Sequence, residues 1–281
     1  GDVYKRQDQD GVQNPLGMAA ARLEVNVHIV TGSVTSAQNI IKCCNQAGLD
    51  VEDIVLEPLA SSQAVLSPDE QEVGVVLVDI GGGTTDITIY SEGSIVHTAV
   101  LALGGNHLTH DIAIGLGTPL HEAEEIKHGF GIAMGEMTDE KEMIAVPSVG
   151  GRNNRQMKKQ VLAGIIEDRF REIFELIGQE IEKTHYHKLM ASGVVITGGS
   201  CIMPGVDGLA SQVLNLPVRV GFPENIVGLQ ELIYSPKYAT SVGLVRYGIT
   251  SSQGKLNFIG DETNLFHKVS RRMKDWMQDF F

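Results

Sequence analysis

Two aspartates frame a run of glycines and threonines, Asp79-Ile-Gly-Gly-Gly-Thr-Thr-Asp86. A turn built from Gly81, Gly82 and Gly83 has no side chains in the way, so several of its N–H groups can face one anion, an arrangement suited to phosphate. Carboxylates beside a phosphate site usually serve to hold hydrated Mg2+, which gives Asp79 and Asp86 a role through water. Thr84 and Thr85 add hydroxyls for phosphate or for metal-bound water. Taken alone, the three glycines would suit a loop that merely turns. A Walker loop is excluded, because no Lys-Ser/Thr follows the glycines. Strands must carry this loop. Val75 to Ile80 is an apolar run rich in β-branched residues, the pattern of a buried strand, and Ile87 and Ile89 resume a period of two after the glycines. The elements that position the chemistry are therefore the two arms of a hairpin.

The full string between two strand patterns resembles the second phosphate loop of the actin, sugar-kinase and heat-shock-chaperone ATPase superfamily. That resemblance gives other residues a reading. Glu57-Pro58-Leu59-Ala60 opens a helix, where Glu57 complements the helix dipole; in the superfamily a Glu-Pro-x-Ala segment supplies the carboxylate that orients the attacking water. Glu124 and Lys127, three apart on one helix face, form either an exposed ion pair or, on the resemblance, a pair bordering the adenosine. Gly198-Gly199-Ser200 closes the strand Val194 to Thr197 and resembles the adenosine loop.

The composition is that of an ordinary folded chain: 281 residues, 42% hydrophobic and 20% charged. No apolar run reaches the roughly 18 residues that read as a membrane span. Cys43, Cys44 and Cys201 make no disulfide framework, which fits reduced thiols in a cytoplasmic protein. A formal net charge of −13 argues against general affinity for nucleic acid. His121, His128, His185 and His187 lack metal-ligand spacing.

In chain order, residues 1–7 fit no pattern and read as foreign to the rest of the chain, and the first residue is Gly rather than Met, as in a fragment whose natural start lies upstream. Residues 21–30 alternate like a strand, 36–47 read as a helix, and 51–56 as a short strand. Residues 8–72 are assigned to the C-terminal part of a first domain; 73–117 and 191–250 to a second, large subdomain; 118–190 to an inserted small α+β subdomain, with Thr118 capping a helix that begins at Pro119. Within the insert, Val161, Leu162, Ile165, Ile166, Phe170, Ile173, Phe174, Ile177 and Ile181 recur at helical spacing and predict a core-facing stripe. Arg152, Arg155, Lys158 and Lys159 form a basic cluster, read as a solvated face or as a dock for an acidic peptide. Residues 251–263 read as a polar tether.

Residues 264–281 come last as an amphipathic helix with Leu265, Phe266, Val269, Met273, Trp276, Met277, Phe280 and Phe281 on one side. The segment carries four basic and two acidic side chains, leaving 18 basic and 33 acidic for the other 263 residues. A cationic amphipathic helix on an acidic body is built like an interfacial anchor for anionic lipid; a helix folded back on the core and a calmodulin-type target are the alternatives.

Asn14-Pro-Leu-Gly17, Val27-His-Ile-Val30, Leu59-Ala-Ser-Ser62, Asp79-Ile-Gly-Gly-Gly-Thr84, Val146-Pro-Ser-Val-Gly-Gly-Arg152 and the amphipathic C-terminus together resemble the FtsA family of bacterial cell-division proteins, from about Gln9 to Phe281. The resemblance implies an α/β, actin-like (ribonuclease H-like) fold with an incomplete first domain and a complete second one. It also implies ATP with Mg2+, self-association into filaments, other division proteins as partners, and anchoring of FtsZ to the cytoplasmic face of the inner membrane at the division site. The acidic FtsZ C-terminal tail would meet the insert, giving the Arg152–Lys159 cluster a partner. The family's first phosphate loop and the family-specific subdomain after it are expected upstream, so this chain would supply one wall of the nucleotide cleft, and tight ATP binding or turnover is not expected of it alone. A sugar or acetate kinase and a chaperone ATPase are the alternatives within the superfamily.

Overall fold

The computed structural model describes residues 3–6, 9–12, 17–19, 22–150, 153–184, 190–224, 226 and 233–257. Three short strands come first, β1 (Val3–Arg6), β2 (Gln9–Val12) and β3 (Glu24–Asn26), paired antiparallel in the order β2-β1-β3. Helix α1 (Val34–Gln46) is next, capped by Ser33, whose Oγ accepts from the Ser36 amide at 3.3 Å. Then come α2 (Glu57–Val65) and α3 (Pro68–Val73), the latter opened by a capping box between Ser67 and Glu70.

The sheet that organises the molecule has five strands in the order β10-β9-β4-β5-β6. β4 (Val75–Ile80), β5 (Thr85–Ser91) and β6 (Ser94–Leu101) run antiparallel as consecutive hairpins, while β9 (Val194–Thr197) and β10 (Val218–Val220) join parallel to β4. Between β6 and β9 lie α4 (Gly105–Leu116), α5 (Leu120–Phe130), the hairpin β7 (Met143–Val146) with β8 (Arg155–Lys158), and α6 (Lys159–Glu182). α7 (Val206–Leu214) links β9 to β10, and α8 (Ala239–Asn257) is the last described element.

Every residue of β4 is buried, because both faces of the sheet are covered. Val76, Val78 and Ile80 join Ile87 and Ile89 in a core completed by α4, α6 and α7; Val75 and Leu77 point the other way and join Tyr90, Ala64, Val65 and Ala239 under α2 and α8. The stripe expected on α6 is buried at Leu162, Ile166, Phe170, Ile173, Phe174, Ile177 and Ile181, while Val161 is exposed. Each such large side chain contributes about 1.5–3 kcal/mol on burial. Ala123, Ile126, Ile144 and Val146 share this same core, so the segment 118–190 packs continuously with the sheet.

Four local expectations are corrected. Residues 51–56 are extended but join no strand among the described residues, since strand propensity needs a neighbour to pair with. The strand expected over 21–30 is confined, among the described residues, to Glu24–Asn26. Thr118 does not cap α5. Its amide donates to Ala113 O at 3.0 Å, closing α4 behind a left-handed Gly117, and Pro119 takes the N-cap position. The tether expected from residue 251 is helical to Asn257, because extending an existing helix gains a hydrogen bond per residue without a new nucleus.

Candidate functional site

Asp79 lies opposite Asp86 in the β4–β5 register, one step before the pair Ile80–Thr85 that closes the glycine turn. Residues directly opposite share a face. Period two then places both carboxyls on the α2/α8 side and Thr85 on the α4 side. Asp79 is 5% exposed and accepts from Ser61 Oγ of α2 at 2.7 Å and from Thr240 Oγ1 of α8 at 3.4 Å. Burial pushes the Asp79 carboxyl above the usual range against the pull of those two hydroxyls. Asp86 is raised by burial and by the charge of Asp79, opposed by a hydrogen bond from Thr84. Glu57, at the first turn of α2, is raised by burial and then by the charges of Asp79 and Asp86. Three carboxyls thus converge and repel one another.

That donor set fits a hydrated Mg2+: hard, mutually repelling oxygens that range from the buried Asp79 to the exposed Glu57. Among the described residues no group of three acidic, His or Cys side chains is close enough to hold a metal directly.

The glycine turn is held from behind. The amides of Gly105 and Asn106, the first of α4, donate to Gly81 O at 2.9 Å and Gly82 O at 2.7 Å, and Ser200 Oγ donates to Gly81 O at 3.1 Å. The Gly81 amide bonds Thr84 O; those of Gly82, Gly83 and Thr84 have no protein acceptor among the described residues and stay available to an anion. The glycines divide into two kinds. Gly198 has φ +95°, and a Cβ there would lie 2.5 Å from both Asp79 Oδ1 and Ile80 O, so the fold itself demands it. Gly82 and Gly199 have neither positive φ nor crowding, the nearest atom to an added Cβ being 3.6 and 3.9 Å away. Nothing within the described chain requires them to be glycine.

Both bare glycines line one cavity of about 410 Å3, together with Gly81, Gly105, Asn106, Glu124, Lys127, His128 and Ser200, over a floor that includes Leu108, Phe170, Ile202 and Met203. The phosphate turn, the Glu124–Lys127 pair and the second glycine loop, far apart in sequence, therefore meet. Lys127 is the buried member of its pair, 11% exposed against 41% for Glu124. Its Nζ donates to Glu124 Oε2 at 2.8 Å, Thr109 Oγ1 at 2.8 Å and Gly105 O at 3.1 Å, which occupies all three protons. Partial burial pushes the Glu124 carboxyl up, but hydrogen bonds from Lys127 and Thr109, the Lys127 charge and His128 together hold it below the usual range. Both members line the cavity, and the carboxylate is the more exposed of the two.

Thr85 is a correction: buried, its hydroxyl donates to Leu103 O at 2.8 Å and faces neither phosphate nor metal. Gly198 supports Asp79 and is not part of the cavity wall. Ser61, Thr240, Asn106 and Thr109 are site residues the sequence left without a role; Ser61 sat inside the Leu59–Ser62 string, and the others carried no motif. In the basic cluster, Arg155 donates to the carbonyls of Leu116 and Gly117, and Lys159 pairs with Glu142 at 3.0 Å, leaving Lys158 exposed on β8. Arg152 and the whole amphipathic segment from Leu265 to Phe281 lie outside the described residues.

The profile described as "Cell division protein FtsA" matches residues 76–243. The chain is 43% identical to the FtsA of Pseudomonas aeruginosa, covering 99% of this chain and 68% of that protein. The chain belongs to the FtsA family. Against the Escherichia coli K12 FtsA the identity is 39%, over 98% of this chain and 66% of that one, so the chain spans about two thirds of these relatives. A second profile, the "SHS2 domain inserted in FTSA", matches residues 3–31. Part of the family-specific subdomain expected upstream is therefore present here, in residues 3–7, expected to be foreign, and in residues 8–31, expected to belong to the first actin-like domain. Among solved structures, MreB5 of Spiroplasma citri bound to AMPPNP aligns with a TM-score of 0.66 at 15% identity, covering 91% of this chain and 90% of that one, and the MamK double helical filament aligns at 0.56 and 15%, covering 77% and 65%. These likenesses establish an actin-like fold. FtsA membership sets aside the kinase and chaperone alternatives.

Proposed function

We propose that this FtsA-family chain is a nucleotide-gated membrane adaptor: it contributes a wall of an ATP·Mg2+ site, self-associates, and holds FtsZ at the cytoplasmic face of the membrane during division, with other division proteins as further partners. The observation that carries the reading is the cavity in which the bare Gly81–Gly82 and Gly199–Ser200 backbones meet Glu124. The turn amides would take phosphate, Asp79 and Asp86 would hold Mg2+ through water, and Glu124 would border the ribose. Bound Mg2+ would supply charge neutralisation for both the phosphates and the carboxyl cluster. Glu57, at the first turn of α2 near that cluster, would orient a water and is the residue assigned to slow hydrolysis in the longer protein. The MreB5 neighbours, solved with ADP and with AMPPNP, lend the nucleotide assignment general support.

The adaptor half rests on charge and pattern. Lys158, exposed on β8, suits an acidic FtsZ tail, and the cationic segment 264–281 suits anionic lipid. Co-sedimentation with phosphatidylglycerol vesicles and an FtsZ C-terminal tail peptide tests both. The parent chain should carry the peptide into the pellet. Trp276→Glu should leave both in the supernatant. Arg152→Glu with Lys158→Glu should pellet without the peptide. Vesicle binding indifferent to Trp276→Glu, or peptide capture indifferent to the charge reversals, would overturn the adaptor reading.

A further inference from the structure

Thr109 sits one turn into α4, 5% exposed, on the wall side of the cavity. Its hydroxyl oxygen lies within reach of three groups: Gly105 O at 3.0 Å, Lys127 Nζ at 2.8 Å and the Glu124 carboxylate. A hydroxyl has one proton to give. Gly105 O already receives a proton from Lys127, and a charged carboxylate is the stronger acceptor, so the hydroxyl donates to Glu124 and accepts from Lys127. The result is a closed circuit in which Thr109 joins both members of the Glu124–Lys127 pair on α5 to the first turn of α4. That turn is the one whose Gly105 and Asn106 amides grip the carbonyls of Gly81 and Gly82.

We propose that Thr109 is a positioning residue which, through Lys127 and the Gly105 carbonyl, sets the phosphate turn and the Glu124 carboxylate as one unit. The proposal deepens the nucleotide reading and rests on it for its functional consequence. The wiring accounts for an ion pair whose cation is turned inward: Lys127 spends its protons on the brace, while Glu124, held by Thr109 and Lys127 on one oxygen and by His128 on the other, is the more exposed member. A pair on an exposed helix face would have no such third partner. With the hydroxyl removed, Lys127 loses an acceptor and Glu124 a donor inside a partly desolvated site, and the first turn of α4 is left with only the Lys127–Gly105 O bond to α5, from a cation no longer fixed on its other side.

Threonine offers a clean comparison, since valine keeps its shape without the hydroxyl and serine keeps the hydroxyl without the methyl. Two readouts separate the brace from the nucleotide. Amide hydrogen exchange on the 281-residue chain without nucleotide reports on Gly105 and Asn106, and a calorimetric titration with Mg·ATP, run on the same segment within a longer FtsA chain that also carries the first phosphate loop, reports on affinity. Thr109→Val should speed exchange of both amides at least tenfold and weaken Mg·ATP about tenfold; Thr109→Ser should stay within about threefold of the parent in both. Unchanged protection in Thr109→Val, or a serine variant as impaired as the valine one, would overturn the brace. A longer parent chain, with the first phosphate loop present, that takes up no Mg·ATP would sink the nucleotide reading instead, and the exchange data would still decide the brace.

Discussion

At the scale of the residue, the carboxyl cluster makes a prediction with a definite sign. Burial and the neighbouring Asp79 raise Asp86 in the folded state, so its ionisation is harder there than in the unfolded chain. The cost is absent below the ordinary aspartate range and grows as pH rises through that range to the raised value. Asp86→Asn, which can still accept from Thr84, should therefore raise the melting temperature at pH 7 by about 2–4 °C, corresponding to roughly 1 kcal/mol, and bring no gain at pH 3. The same variant should lose most of the extra stabilisation that Mg·ATP gives the parent. Thermal scans at two pH values, with and without nucleotide, check both parts. Residue types marked two aspartates and three glycines as belonging together, and the resemblance added Glu57; the structure brings all three carboxyls to one place. Which hydroxyl turns inward was not legible. Thr84 and Thr85 look alike in sequence, and only the β4–β5 register places Thr85 on the Leu103 side.

At the scale of the element, the strand run and the apolar stripe predicted β4, β5, β9 and α6 because each buries a whole face, and burial imposes its period on sequence. Residues 51–56 misled for the opposite reason, since a strand exists only through its neighbour. The crossing of α2 and α8 was visible only as a set of small residues, Ala239, Ser241 and Gly243. A Cβ on Gly243 would stand 1.7 Å from Ala60 O, so the helices touch through backbone. Gly243→Ala must force them apart, at a cost of about 3 kcal/mol or more. Urea denaturation should show the loss, and Asp79, whose Ser61 and Thr240 partners lie on these two helices, should bind Mg·ATP poorly in the same variant. A second tie joins α3 to the sheet edge: Arg219 of β10 donates to both oxygens of Glu70 and to Val65 O, each at 2.8 Å. Burial pushes Glu70 up, but Arg219 and Ser67 together hold it below the usual range. Its contribution is full above the ordinary glutamate range and is lost as pH falls toward the lowered folded value. Arg219→Gln should cost on the order of 1 kcal/mol at pH 7, allowing for screening at a partly exposed guanidinium, and the gap to the parent should narrow below about pH 4.

At the scale of the molecule, the sequence motifs and the geometry agree on a division of labour between the two faces of one sheet. The α4–α5 side builds a cavity suited to the nucleoside, the α2–α8 side gathers the carboxyls, and the glycine turn lies between them. The long-range meeting of Gly82 with Gly199 could be expected from family resemblance but not from spacing, because the topology that places β9 beside β4 is what joins them. The central claim is that these glycines are bare for a ligand and not for the fold. The double variant Gly82→Ala, Gly199→Ala isolates it, since both added Cβ atoms fit the free chain. In a longer FtsA chain that also carries the first phosphate loop, calorimetric titration with Mg·ATP should show affinity falling at least tenfold while the melting temperature holds or rises slightly, as Gly→Ala at compatible positions stabilises by about 0.4–1 kcal/mol. A double variant that binds Mg·ATP as tightly as its parent would contradict the account.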